Sequence, residues 1–155
     1  MHSKETETIF KALETFLIEI PSWGFANTGT RFGKFLQPAA ASTIEEKFSD
    51  ASQVHALTGV CPSLALHVLW DFAQGVQSCE NISRLASRYG VRPGSINPNY
   101  FQEQIYKYGS FGNPDSAARS EALRRTKESI AIAQRLHTRD ISLWFADGSN
   151  YPGTA

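Results

Sequence analysis

Sulfur chemistry has little to work with in this chain: two cysteines, one methionine and no CxxC pair. Cys61 and Cys79 stand far apart, with no histidine at zinc-site spacing, so they read as two reduced thiols of a cytosolic protein. Neither sign of charge dominates, because 15 Lys and Arg face 15 Asp and Glu. That balance leaves no electrostatic footprint for nucleic acid or an anionic membrane. No apolar run approaches the roughly 20 residues that a membrane span needs. The opening MHSKETET is too polar for a signal peptide. The expectation is a cytoplasmic chain with neither nucleic-acid nor membrane partners. Internal repeats, a nucleophile elbow, a phosphate-cradling glycine loop and metal-ligand spacing are missing as well.

What the chain does have is aromatic mass: a 12% share with three tryptophans and ten phenylalanines, which must be buried or used. At 155 residues it has the length of one domain, or of a piece of a larger one. Ile9, Phe10, Leu13, Phe16, Leu17 and Ile20 recur at helical spacing, predicting a helix over 4–20 that Pro21 ends. The following stretch, to about residue 49, has neither regular period, and an ordered loop of that length suggests function. A short helix is expected from about Ser49 to Leu57.

The pattern then becomes rhythmic. PSLALHVLW reads as a strand at 63–70, and a helical stretch over 74–89 stops at Gly90. GSINPN contributes a short strand at 94–97. Asn113 and Pro114 open a long helix to about His137, with Glu121–Arg125 and Arg124–Glu128 on its wet face. DISLWFAD is the last strand. Strands alternating with helices predict a parallel α/β sheet.

Period two divides each strand into faces. Leu64, Leu66 and Val68 lie together, opposite Ala65 and His67. Ile141, Leu143 and Phe145 oppose Ser142, Trp144 and Ala146, and Ile96 opposes Ser95 and Asn97. One face is aliphatic and the other mixed, which suits a barrel with helices outside better than a doubly wound sheet. A full barrel takes about 250 residues. The fold class expected is therefore α/β, a partial (β/α)8 TIM barrel of three βα units. Residues 1–60 would form an N-terminal helix and loop extension, and 61–155 the first barrel strands and helices.

Several side chains could carry chemistry. His67 suits acid–base work, since an unperturbed imidazole titrates near neutrality, and Asp71 could orient it. The plain alternative is a buried histidine bonded to backbone. Trp23, Trp70 and Trp144 could each be core, or together wall a sugar, whose C–H faces lie on rings while its hydroxyls seek polar groups. Asn97 before Pro98 and Asp147 before Gly148 are turn residues by default, or polar contacts of such a pocket. Arg31 in TGTRFG is a weaker candidate for a substrate or interface.

Four separated blocks resemble the L-rhamnose isomerases, especially the broad-specificity bacterial type in the xylose-isomerase-like barrel superfamily. They are IPSWGFANTGTRFGKF (20–35), HALTGVCPSLALHVLWD (55–71), INPNYFQ (96–102) with YKYGSFGNPD (106–115), and LWFADGSNYPGT (143–154). The resemblance implies the N-terminal portion of a homotetrameric aldose–ketose isomerase that interconverts L-rhamnose and L-rhamnulose, and other aldoses. It implies Mn2+ or another divalent metal, with ligands on later strands that this chain does not contain. His67 matches the histidine near the sugar's ring oxygen and first hydroxyl, and Asp71 a supporting carboxylate. Trp23, Phe32, Trp70 and Trp144 match the aromatic walls. Three strands alone would leave open edges and a bare apolar inner face, so marginal stability and no independent activity are expected. A sugar epimerase, a metal endonuclease-like barrel and a non-catalytic remnant are the alternatives.

Overall fold

A computed structural model describes residues 4–27, 36–145 and 147. At its centre lies β2 (Ser63–His67), buried at every position. It is flanked by β1 (Glu19–Pro21) and β3 (Arg92–Asn97), both parallel to it, in the order β1-β2-β3. Parallel neighbours cannot be joined by tight turns and need crossovers. α1 (Lys4–Glu14) precedes the sheet. α2 (Ile44–Thr58) links β1 to β2, while the single turn α3 (Val68–Asp71) and α4 (Cys79–Tyr89) link β2 to β3. α5 (Ser116–Arg135) follows β3. The result is a mixed α/β fold on a three-stranded parallel sheet.

Local chemistry sets these boundaries. Thr43 accepts the Glu46 amide while the Glu46 carboxylate accepts the Thr43 amide, a reciprocal cap that starts α2. Gly59 and Gly90 close α2 and α4 at φ of 73° and 67°, where a Cβ would be strained. Asp115 caps α5 by accepting the Ala117 amide at 2.8 Å.

The core forms on one side of the sheet. Leu64, Leu66 and Ile96 pack with Phe48 and Ala51 of α2, Ile82 and Leu85 of α4, and Ile132 and Ala133 of α5. Ile20 of β1 leans on the same cluster. The opposite face is small and polar. Between Leu64 and Leu66 the register with β3 slips, because Leu64 faces Pro93 while Leu66 faces Ile96. Such a bulge takes an amide out of the ladder. The Ser95 amide turns instead to the Glu19 carboxylate at 2.7 Å, and the Ser95 hydroxyl bonds the same group. Gly94 makes room for this strap: a Cβ there would lie 1.8 Å from Glu19 Oε2.

Several expectations change. The helix predicted over 4–20 ends at Glu14, and residues 19–21 become the edge strand β1. Pro21 suits that edge, where no ladder amide is needed. The helix expected from Ser49 begins five positions earlier, at Ile44. The strand expected over 63–70 stops at His67, and 68–71 turn into α3. Asp115, not Asn113, caps α5; Asn113 instead donates to the Gly109 carbonyl at 2.6 Å. The last expected strand is reduced to one parallel bridge, Ile96 with Ile141. On the side away from the core, Ser63 is buried and Glu19 is bonded to Ser95. β1 pairs with β2, and Phe48 and Ala51 of α2 share one core with β2 and α4. No helix among the described residues is long and apolar enough to cross a membrane.

Candidate functional site

The polar face ends, at the carboxyl ends of β2 and β3, in a cleft of about 380 Å3. Trp23, His67, Trp70, Asn97, Phe101 and Trp144 line it, with Pro98, Ser142 and Leu143. Ligands of parallel α/β sheets bind at this end because the strand-to-helix loops gather there. A larger, more open groove at the other end, by Leu17, His55 and Arg92, contains none of the expected site residues.

His67 sits on the last residue of β2, and α3 folds Trp70 back over it. The two rings stack with centroids 3.7 Å apart and planes inclined by 20°. Trp23, from the short turn Ser22–Phe25 after β1, meets the imidazole edge-on at 5.8 Å. Phe101 closes a further side at 6.2 Å. Trp144 packs its ring against Phe101 at 4.4 Å. Trp70 is steadied by a 3.2 Å hydrogen bond from its indole N–H to the Gln102 amide oxygen.

The imidazole's own hydrogen bonds define its state. The Leu69 amide donates to Nδ1 at 3.2 Å, while Nε2 is buried and has no partner among the described residues. Burial first, and then the nearby Lys47 ammonium, push its pKa down to about 4. At neutral pH His67 is therefore uncharged, below the poised range expected from the residue type.

Asp71 does not touch the imidazole. Its Oδ2 accepts the His67 backbone amide at 2.7 Å and the Ser22 hydroxyl. Its Oδ1 takes the Lys47 ammonium at 2.6 Å, with both charged side chains almost wholly buried. Asp71 thereby fastens the strand end, the Ser22 turn and α2 to one point. Asn97 lines the cleft and anchors its amide nitrogen on the Leu66 carbonyl at 3.2 Å. Asp147 points elsewhere: it accepts the amides of Ser110 and Gly112 at 2.5 and 2.9 Å and bonds the Ser110 hydroxyl. Burial opposes its ionisation, but the bonds from Ser110, Gly112 and Phe111 prevail and hold its pKa below the usual value. Phe32 and Arg31 lie outside the described residues.

The structure thus brings together His67, Trp23, Trp70, Asn97 and Trp144, and sets Asp71 behind the cleft and Asp147 beside the 109–112 loop. Leu143, expected on the aliphatic face, shares the cleft with Ser142 and Trp144 because residues 142–145 form no regular strand. Sequence reasoning missed Phe101, Gln102, Ser22 and Lys47. Phe101 and Gln102 follow the Asn97-Pro98 turn, a position that could have marked them. Nothing in the periodicity of α2 marks Lys47. Among the described residues no three His, Cys, Asp or Glu side chains cluster tightly enough to hold a metal ion.

No protein-family model matches the chain. It is similar to two curated proteins described as probable sugar isomerases. One, from Mesorhizobium japonicum, is 33% identical over 152 residues, which cover 95% of this chain and 34% of the relative. The other, from Rhizobium meliloti, is 33% identical over 141 residues, covering 88% of this chain and 32% of the relative. The chain thus spans about a third of the length of these relatives, and the likeness supports a sugar isomerase without naming the sugar.

Proposed function

We propose that this chain is part of an aldose–ketose isomerase, and that the aromatic cleft at the ends of β2 and β3 is one wall of its sugar site. The observation that carries the reading is the convergence of three tryptophans, Phe101, Asn97 and the His67 ring on one cleft. Indole faces cover the apolar C–H surfaces of a pyranose, and Asn97 and His67 supply the sparse polar contacts that fix its orientation. The proposed reaction interconverts L-rhamnose and L-rhamnulose, with other aldoses accepted, by moving hydrogen between C1 and C2. A parallel sheet with its helices on one face supports reading the fold as the opening units of a (β/α)8 barrel in a homotetramer.

The described residues do not fit the divalent metal proposed for the whole enzyme, since they offer no ligand cluster. The part assigned to this chain is to bind the sugar, exclude water from it and donate a hydrogen bond to a ring or hydroxyl oxygen. Titrating the chain with L-rhamnose while following tryptophan emission tests this. His67→Ala should weaken binding about fivefold, the worth of one neutral hydrogen bond near 1 kcal/mol. In a protein of the relatives' full length, the same substitution should abolish most turnover on cyclic sugar and leave Mn2+ binding intact. Unaltered turnover would remove His67 from the mechanism.

A further inference from the structure

Lys47 lines no part of the cleft, yet it is 4% exposed and spends its charge on Asp71. A buried ion pair is a poor source of stability, because desolving two charges offsets most of their attraction. Its location is therefore informative. Asp71 receives three groups from three elements: the Lys47 ammonium of α2, the Ser22 hydroxyl after β1 and the His67 amide at the end of β2. These contacts hold the bend from β2 into α3, where the Leu69 amide reaches Nδ1 of His67. An imidazole accepting at Nδ1 and uncharged must carry its proton on Nε2.

We propose that Lys47 is a positioning residue for the sugar site: through Asp71 it locks His67 in the neutral Nε2–H form, a fixed hydrogen-bond donor to a ligand oxygen and not a base. This rests on the sugar-site reading for the identity of the ligand, but not for the state of the imidazole. Among the described residues, the charged groups next to His67 are Lys47 from α2 and Asp71 from α3. Ser22 and the rings of Trp23, Trp70 and Phe101 bring no charge. The carboxylate bonds the backbone and leaves the ring to feel the ammonium, which together with burial disfavours the imidazolium. An Asp71 bonded to the imidazole itself would act in the opposite direction.

Histidine 15N resonances of the whole chain report protonation at each ring nitrogen. The wild type should show His67 as Nε2–H at pH 7 and uncharged below pH 6. An Nδ1–H ring, or a cation at pH 7, would overturn the proposal. Lys47→Met should raise the proton affinity of His67 several-fold and weaken L-rhamnose binding, and Lys47→Arg should recover both. A titration of His67 in Lys47→Met that overlays the wild type would equally overturn it. Should Lys47→Met fail to fold, Lys47→Met/Asp71→Leu leaves no buried charge and is read by the same resonances, with the same rise expected. If the wild type shows the locked ring but binds no L-rhamnose, the sugar reading falls and the lock stands.

Discussion

At the scale of single residues, the site is governed by what burial does to ionisable groups. His67 has a folded pKa near 4 against an ordinary 6.5. Between those values the unfolded chain binds a proton that the folded chain refuses, so stability falls as pH drops through that window. The full difference is worth about 3 kcal/mol. Urea unfolding at pH 7 and pH 4 should therefore show His67→Phe losing about 3 kcal/mol less than the wild type over that interval. A loss equal in both proteins would show that the imidazole is not desolvated in the fold. The site was legible where residue type and alternation coincide, as at His67 and Asn97, whose positions on one face follow from period two. Asp71 was not legible in the same way. Sequence places it four residues from His67 but cannot say whether its carboxylate meets the ring or the backbone, because the bend into α3 decides that.

At the scale of elements, short-range chemistry and long-range pairing differ in how far they can be read. The Thr43 and Glu46 cap of α2 is written in four consecutive residues and marks the true start of the helix, which the apolar period alone placed too late. Thr43→Ala should cost about 1 kcal/mol in thermal or urea unfolding, with the cleft unaffected. A neutral result would mean that packing of Phe48 and Ala51 holds that end without the cap. β1 shows the opposite case. Phe16, Leu17 and Ile20 continue a helical period, and only pairing of Glu19–Pro21 with Ser63–Ala65 makes the segment a strand. A three-residue strand has no periodicity to detect, since its identity comes from a partner more than forty positions away. The expected final strand failed for a related reason. Residues 140–147 alternate as a strand should, but among the described residues their ladder is limited to the Asp140 carbonyl and the Ser142 amide, both bonded to Ile96.

For the molecule as a whole, order should follow burial. β2 and α4 lie within one continuous apolar cluster, whereas α1 buries none of its residues and is only 11 long. Helices that short are marginal in water without tertiary support. Amide hydrogen exchange should thus be slowest in β2 and fastest in α1, differing by most of the global unfolding free energy. Comparable protection in both would show that α1 is held by contacts beyond those described. The parallel α/β class was legible throughout, because alternating periods of two and 3.6 survive any detail of packing. The location of the cleft followed from it, while the Phe101 wall did not, since Phe101 comes from a segment without regular period. One earlier contact reaches further than its position suggests. Asp147 grips the Ser110 loop three residues after Trp144, and neither Ser110 nor Asp147 borders the cleft. A hydroxyl on the connection between β3 and α5 thereby anchors the chain just beyond Trp144, so Ser110→Ala should loosen that indole without removing any atom that lines the cleft.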